Sequence, residues 1–183
     1  MGGSAVPQAP GRLEVVRAFI NTADLEAGSD QLATPADLAS WSQSHGLVAT
    51  IEASRSDVER VLQLREALRT ILCAHHHPAV DSGPALRLVN EGMTWAGVTP
   101  VLTGDSLAWT SAEEGLPGLV GQLLTIIVAA ETTGHWSRLK ACSSDSCRWA
   151  FYDHSRSRTG RWCSMQICGN RAKQQKFHRA SGT

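Results

Sequence analysis

The sequence predicts a mostly helical α+β fold: a helical N-terminal domain with a small β-hairpin, then a small cysteine-rich module made of a β-hairpin and a helix. Three observations support this prediction. Apolar residues recur at helical spacing through most of the chain, two short β-prone runs interrupt them, and four of the five cysteines form two equal pairs near the C-terminus. The predicted units are a disordered leader (1–10), an acidic domain (11–137) and a basic module (138–183).

Two helices are predicted at the start of the acidic domain. Over residues 12–25 the apolar side chains repeat at helical spacing; they are Leu13, Val16, Phe19 and Ile20. A second helix begins at Thr34, which can cap it, while Pro35 suits the first helical position and Asp37 completes a capping box. We expect this helix to end near Gly46.

The longest predicted helix spans 56–74 and carries one continuous apolar stripe. A shorter helix follows around Leu86–Asn90, and the runs Val98–Leu102 and Leu107–Thr110 predict a hairpin. The next helix, over 116–139, is apolar almost all round in its first half, so it is either the central core helix or the seam of a homodimer. The core is the favoured interpretation. Its apolar run falls short of the roughly 20 residues of a membrane span, so no membrane partner is expected.

The net charge is zero because two opposed regions cancel. Residues 1–137 carry seven arginines and no lysine against fifteen carboxylates, whereas residues 138–183 carry ten basic and two acidic groups. The formal charges are therefore −8 and +8. This asymmetry is typical of a basic surface that faces nucleic acid on an acidic body. The alternative is that the two regions attract each other and partly cancel. The chain lacks a secretory start, so a cytoplasmic protein is expected.

The two cysteine pairs have the spacing of a structural metal site. Each pair brackets four residues and fifteen residues separate the pairs, which are Cys142 with Cys147 and Cys163 with Cys168. In a reducing compartment such pairs indicate one Zn²⁺ ion rather than disulfides. His154 or His178 could replace one thiolate, but neither spacing is better. Four thiolates leave no open position for a reactive water, and no nucleophile–base pair or phosphate loop is evident, so no enzymatic activity is expected.

Short strands and a helix are predicted around this site. The aromatic run Trp149–Tyr152 is expected to form a strand that covers the metal, with Arg161–Cys163 as the strand beside it. After Cys168 the sequence favours a helix that packs one side on the zinc core and presents cations on the other.

Basic side chains in the turn and the final helix are candidates for contact with nucleic-acid phosphates. They are Arg156, Arg158, Arg161, Arg171, Lys173, Lys176 and Arg179. Asn170 either caps the final helix or reads an adenine edge. For Asn170 and Arg171 an internal role is equally weighted, in which they bond loop carbonyls or Asp153.

Three motifs surround the cysteines: Arg148-Trp149-x-Phe151-Tyr152-Asp153, Arg161-Trp162-Cys163-Ser164-Met165 and Cys168-Gly169-Asn170-Arg171. They resemble the CGNR zinc-finger family of bacterial proteins. The N-terminal part resembles that family's usual companion, the ABATE domain, through Phe19-Ile20-Asn21-Thr22, Asp30-Gln31-Leu32-Ala33-Thr34-Pro35 and Leu38-Ala39-x-Trp41. The resemblance covers essentially the whole chain after the leader, and it implies a stress-related transcription regulator whose finger is the DNA-binding part. Ser42 departs from it, because a more apolar residue is expected after Trp41.

Four residues of the N-terminal domain could line a small-molecule pocket: Asn21, Thr22, Asp30 and Trp41. The favoured alternative is that the first three bond the turn between helices. Three adjacent histidines, His75–His77, point in different directions on a helix, so we interpret them as partly protonated groups at a helix C-terminus rather than as a metal site.

Together these observations predict a cytoplasmic transcription regulator whose finger binds DNA and whose N-terminal domain senses a small-molecule effector or recruits a partner. Two rival hypotheses remain: an adaptor whose basic finger docks an acidic surface of the transcription machinery, and a small-molecule-binding protein with a purely structural finger. Specific DNA interfaces usually bury about 1,000 Å² or more, so specific binding by one small finger implies a homodimer or a partner.

Overall fold

Six α-helices and three two-stranded antiparallel sheets form the part of the chain that the computed structural model describes, residues 7–48 and 50–181. The helices are α1 (Leu13–Ile20), α2 (Pro35–Ser44), α3 (Arg55–Ala74), α4 (Gly83–Trp95), α5 (Gly115–Thr132) and α6 (Asn170–Ser181). The strands are β1 (Ala23–Asp24), β2 (Ser29–Asp30), β3 (Thr99–Thr103), β4 (Ser106–Thr110), β5 (Leu139–Ala141) and β6 (Ala150–Tyr152). The predicted α+β fold class, mostly α, is confirmed.

Capping boxes begin two of the helices. In α2 the Thr34 side chain accepts from the backbone N–H of Asp37, whose carboxylate accepts in return from the backbone N–H of Thr34, as predicted. In α3 Ser54 and Asp57 form the same box, so this helix begins one residue earlier than predicted. Local side-chain chemistry therefore fixes where both helices begin.

Two helices are shorter than predicted. Helix α1 ends at Ile20 rather than near residue 25, because the chain turns into β1 at Ala23. Helix α5 ends at Thr132 rather than at residue 139, because Gly134 adopts a left-handed backbone with φ of 70°. A 3₁₀ turn over Trp136–Arg138 and strand β5 follow.

Helix α5 is the central core helix, the favoured of the two interpretations. Apolar side chains on most of its faces are buried: Leu116, Leu119, Val120, Leu123, Leu124, Ile126 and Ala130. It is the one helix, in the described ranges, that is long and apolar enough to cross a membrane, and half of it is buried inside the protein, as in a core helix. It packs against α1, α4 and β4.

The cysteine-rich module and the N-terminal domain share one hydrophobic core. Residues of β5 and β6, among them Leu139, Ala150 and Tyr152, are buried in the same cluster as the apolar faces of α1, α3 and α5. Strand β5 packs on α3, and β6 packs on α1. The predicted boundary between residues 137 and 138 therefore lies inside a continuous core.

Residues 7–10 do not belong to a disordered leader. Ala9 is buried and its backbone N–H donates to the Glu14 carboxylate at 2.7 Å, while the Gln8 carbonyl lies 2.9 Å from His154 Nε2. These contacts hold the stretch on α1 and on the module. Residues 1–6 of the predicted leader lie outside the described residues.

Strand β6 pairs with β5 rather than with Arg161–Cys163. The register joins Leu139 to Tyr152 and Ala141 to Ala150. Leu139 and Ala141 are completely buried, so pairing with β5 places β6 over the body's core instead of over the metal site. Arg161 instead accepts a hydrogen bond from the Ser143 N–H at 2.9 Å.

Candidate metal centre and basic surface

The four paired cysteines converge on one point. Their sulfur atoms all lie within 4.8 Å of one another, and Cys163 Sγ lies 3.7 Å from both Cys147 Sγ and Cys168 Sγ. A tetrahedral ion with Zn–S distances of about 2.3 Å separates its sulfurs by roughly 3.8 Å. The predicted Cys₄ set is therefore positioned to hold one Zn²⁺ ion, and the predicted cofactor is confirmed. His154 bonds the Gln8 carbonyl, so it is not a ligand.

Short turns place each pair of sulfurs. Cys142 directly follows β5, and its N–H donates to the Trp149 carbonyl at 2.9 Å. Cys147 closes a turn on the Ser144 carbonyl, and Arg148 reverses the chain with φ of 47°. The second pair lies around a π-helical turn over Met165–Gly169, whose first turn the Ser164 side chain caps.

A side chain at Gly169 would require the Met165 side chain to move. A Cβ there would lie 2.8 Å from Met165 Sδ and 2.9 Å from Met165 Cε. Gly169 is itself buried, directly after Cys168. Because Met165 is 54% exposed, its side chain has room to move away from a methyl group at position 169.

The chemistry of the sulfur cluster fits a divalent cation. Hydrogen bonds from Cys147 and Cys163 lower the pKa of Cys142, whereas donation to Cys142 raises the pKa of Cys163 far above its usual value. Neighbouring thiolates repel one another, so a counter-charge is needed for all four sulfurs to ionise. A bound Zn²⁺ supplies the positive charge that four thiolates need.

A buried ion pair anchors the loop between the two cysteine pairs. Lys140 Nζ donates to Asp153 Oδ2 at 2.7 Å, to the Arg158 carbonyl at 2.7 Å and to the Gly160 carbonyl at 3.3 Å. Burial opposes ionisation of Asp153, but Lys140 and the N–H groups of Ser155 and Gly160 hold the pKa of Asp153 well below its usual range. Lys140 thus belongs to the interior and not to the basic surface.

The anchored loop presents exposed arginines. Arg156, Arg158 and Arg161 are all exposed, and in the described ranges none of them has a carboxylate within 4 Å. Arg158 adopts a left-handed backbone with φ of 55°, and its carbonyl is held by Lys140. The Arg161 guanidinium lies 5.9 Å from the centre of the Trp162 ring. These three side chains are therefore free to meet an anion.

The residues predicted on the final helix divide into two groups. Lys173 is exposed, whereas the side chains of Lys176 and Arg179 lie outside the described residues. Asn170 Nδ2 donates to the Gln166 carbonyl at 3.1 Å. This is the internal role expected as one alternative for Asn170, in which it bonds a loop carbonyl. Arg171 pairs with Glu26 of the body at 2.9 Å and not with Asp153. Both members of that pair are well exposed, so a phosphate could displace Glu26 at low cost.

The structure uses the predicted pocket residues internally. Asp30 accepts two hydrogen bonds from the buried guanidinium of Arg65, at 2.7 and 2.8 Å, and Thr22 accepts a third at 3.0 Å. Trp41 stacks on His45 and packs against Phe19. Asp30 also accepts a hydrogen bond from the Leu32 N–H. This contact agrees with the favoured alternative, in which Asp30 bonds the turn between helices.

Asn21, the fourth predicted pocket residue, joins the body to the finger. Its side chain accepts from the Ala150 N–H at 2.7 Å and donates to the Ala150 carbonyl at 2.9 Å, so it extends the edge of β6. Nearby, fully buried Arg69 donates to the carbonyls of Ile20 and Arg148, at 2.6 and 2.9 Å. The sequence analysis missed Arg69; the available signal was a cation four residues after Arg65, among the apolar residues of an amphipathic helix.

Replacing Asn21 by alanine should lower the free energy of unfolding by about 2–4 kcal/mol, because the N–H and carbonyl of Ala150 would be buried without partners. Urea denaturation of the zinc-loaded protein measures this. Asn90→Ala, at an exposed asparagine of α4, is the matched control and should change stability by less than about 0.5 kcal/mol. Equal effects of the two substitutions would contradict the assigned role of Asn21.

The three histidines at the end of α3 also join the body to the finger. His75 Nδ1 lies 2.8 Å from the Leu139 carbonyl, and the Nε2 atoms of His76 and His77 lie 3.1 and 2.8 Å from the Ser143 hydroxyl. Burial lowers the pKa of His75, and burial also lowers the pKa of His76 to about 4. These two imidazoles are therefore neutral at neutral pH, and the prediction that they act as partly protonated groups was wrong.

Two protein-family models match the chain. The ABATE family model, described as "Putative stress-induced transcription regulator", matches residues 13–133, and the CGNR zinc-finger model matches residues 138–180. Both families and their order along the chain are those that the sequence motifs predicted. No curated protein matches the chain.

Proposed function

The chain belongs to the ABATE family and carries a CGNR zinc finger, and on this basis we propose that it is a cytoplasmic transcription regulator that binds DNA through the finger. In this proposal the N-terminal domain senses a ligand or recruits a partner. The zinc ion is structural, because four thiolates complete its coordination, and no catalytic step is assigned to it.

The single observation that carries the DNA-binding proposal is the anchored arginine loop. Arg156, Arg158 and Arg161 extend from a loop whose backbone is held by the buried pair of Lys140 and Asp153. A rigid loop with unpaired guanidinium groups loses little conformational freedom when it contacts phosphates. The acidic body would be repelled by the same phosphates, so the charge asymmetry orients the finger toward DNA.

DNA binding through these residues should depend steeply on salt. If five cations of the finger each neutralise one phosphate, the logarithm of the binding constant should fall with the logarithm of salt concentration at a slope near −4.5. The variant in which Arg156, Arg158 and Arg161 are all replaced by alanine should reduce that slope by about 2.7. A fluorescence-anisotropy titration of zinc-loaded protein with random and promoter duplexes, across a salt series, measures both values.

The matched control removes three exposed arginines from the body: Arg12, Arg55 and Arg87. It changes the net charge by the same amount as the loop variant, so a nonspecific effect of charge would weaken binding equally in both. We expect the control to bind as well as the unmodified protein. The absence of binding at low salt, from folded and zinc-replete protein, would overturn the proposal.

A second candidate function is that of an adaptor that docks an acidic protein surface. Two apolar side chains beside the cations of the finger, Met165 and Ile167, are 54% and 52% exposed, and a protein partner would bury them more fully than a phosphate backbone. The same titration separates the two functions, since an adaptor would show weak binding without preference among duplexes. A preference for one promoter would favour a regulator that binds as a homodimer or with a partner.

A further inference from the structure

A cavity of about 300 Å³ lies between α3 and α4, with one wall on α5, and we propose that it binds a small organic acid with an apolar body. It is distinct from the pocket that the sequence predicted around Asn21 and Trp41. This inference deepens the proposed function, because it identifies the part of the N-terminal domain that would sense an effector. Its role as a sensor rests on the proposed function, whereas ligand binding by the cavity does not. Its volume is at the lower end of the range for ligand pockets.

The floor of the cavity is apolar and its side wall is aromatic. Val61 and Leu64 of α3 and Val120 of α5 are at most 3% exposed, so their side chains are fixed by the core. Trp95 of α4 lines the cavity and is only half-buried. A rigid apolar floor with one exposed aromatic face favours a compact hydrocarbon or aromatic group.

Gly92 enlarges the cavity without being required by the helix. It lies within α4, and an added Cβ would lie 3.6 Å from Leu64 Cδ1, 3.7 Å from Leu124 Cδ1 and 4.0 Å from Val120 Cγ1, which are ordinary contact distances. Alanine would therefore fit, and alanine is the better helix former. What glycine provides at this position is space in the cavity.

The mouth of the cavity carries a cation, Arg60. The Arg60 guanidinium lies 4.9 Å from the centre of the Trp95 ring, and no carboxylate of the described residues lies within 4 Å of it. Arginine stacked on an aromatic ring keeps its N–H groups directed outward for a carboxylate. Gln63 and Glu91 also line the cavity, and the charge of Glu91 favours a ligand with one carboxylate over a dianion.

The test is a protein-observed NMR titration in the absence of DNA. The probes are 3-phenylpropanoate and 4-methylpentanoate, with 3-phenylpropanamide as the neutral counterpart of the first. The indole N–H signal of Trp95, assigned from a Trp95→Phe variant, reports occupancy of the cavity. Both acids should shift this signal saturably, and the amide should bind at least about tenfold more weakly. An absence of saturable shifts with both acids, or equal affinity of acid and amide, would overturn the proposal.

Two variants locate the site. Arg60→Ala should weaken binding of the acids at least about tenfold, whereas Arg55→Ala, an exposed arginine of the same helix that pairs with Glu59 outside the cavity, should leave it unchanged. Gly92→Ala should weaken binding while raising the thermal midpoint, so lost affinity cannot be attributed to unfolding. Unchanged affinity in both Arg60→Ala and Gly92→Ala would exclude this cavity. The NMR titration contains no DNA, so a protein that failed to bind DNA could still bind these acids. Likewise, a protein that failed to bind the acids could still bind DNA.

Discussion

Replacing Cys163 by serine should abolish stoichiometric zinc binding and unfold the finger. Cys163 Sγ lies 3.7 Å from two of the other three sulfurs, so its replacement removes one of the four ligands of the ion. Structural zinc in small modules contributes about 10–16 kcal/mol of apparent binding free energy, which is also folding free energy. Because the finger and the body share one core, we expect the whole chain, and not the finger alone, to lose stability.

Metal content by mass spectrometry and thermal unfolding by circular dichroism measure these two effects. Cys73→Ser is the matched control, since Cys73 is the fifth cysteine and lies on α3 with an Arg148 nitrogen 3.7 Å from its sulfur. This control should retain one equivalent of zinc. A Cys163→Ser protein that kept both its zinc and its unfolding midpoint would show that the four sulfurs do not act as one site.

Replacing Lys140 by methionine should lower the free energy of unfolding by about 3–5 kcal/mol while leaving zinc bound. The side chains of Lys140 and Asp153 are each 3% exposed, so removing the ammonium leaves a buried carboxylate without its counter-ion. The carbonyls of Arg158 and Gly160 lose their donor at the same time. The loop that carries the exposed arginines should therefore lose its fixed position.

Urea denaturation at neutral pH, together with zinc analysis, measures this second effect. Lys173→Met is the control, because Lys173 is an exposed lysine of the same finger and its replacement should change stability by less than about 0.5 kcal/mol. Comparable losses in the two variants would mean that Lys140 acts as a surface charge. Loss of zinc from the Lys140 variant would mean that the pair supports the metal site directly.

The comparison of Lys140 with the loop arginines shows where charge counting fails. Sequence alone places Lys140 among ten basic residues of the finger, and its apolar neighbours, Leu139 and Ala141, are the one local difference from Arg156, which lies between two serines. In the fold Lys140 lies in β5, facing Asp153 and two loop carbonyls, while Arg156 is exposed. The inward direction of the Lys140 side chain follows from the pairing of β5 with β6. The sequence had predicted Arg161–Cys163 as the partner of β6.

The α3–α4 cavity had no comparable signal in the sequence. Its floor and walls come from three helices, and Gly92 and Trp95 lie beyond the helix that the sequence predicted around Leu86–Asn90. The polar residues that did attract a pocket interpretation are occupied: Asn21 bonds Ala150, and Thr22 and Asp30 bond Arg65. A pocket depends on how helices pack, and periodicity describes one helix at a time.

The sequence by itself determined the metal ligands, the fold class and the beginning of α2, because each depends on residues close together in the chain. Cysteines five apart and a Thr–Asp capping box act over single turns, so their spacing is sufficient evidence. Only the tertiary structure decided which polar side chains turn inward. Asn21 and Ala150 are 129 residues apart, and Arg69 and Arg148 are 79 apart. A buried donor must find an acceptor wherever the packed chain provides one, and that position is set by the core as a whole.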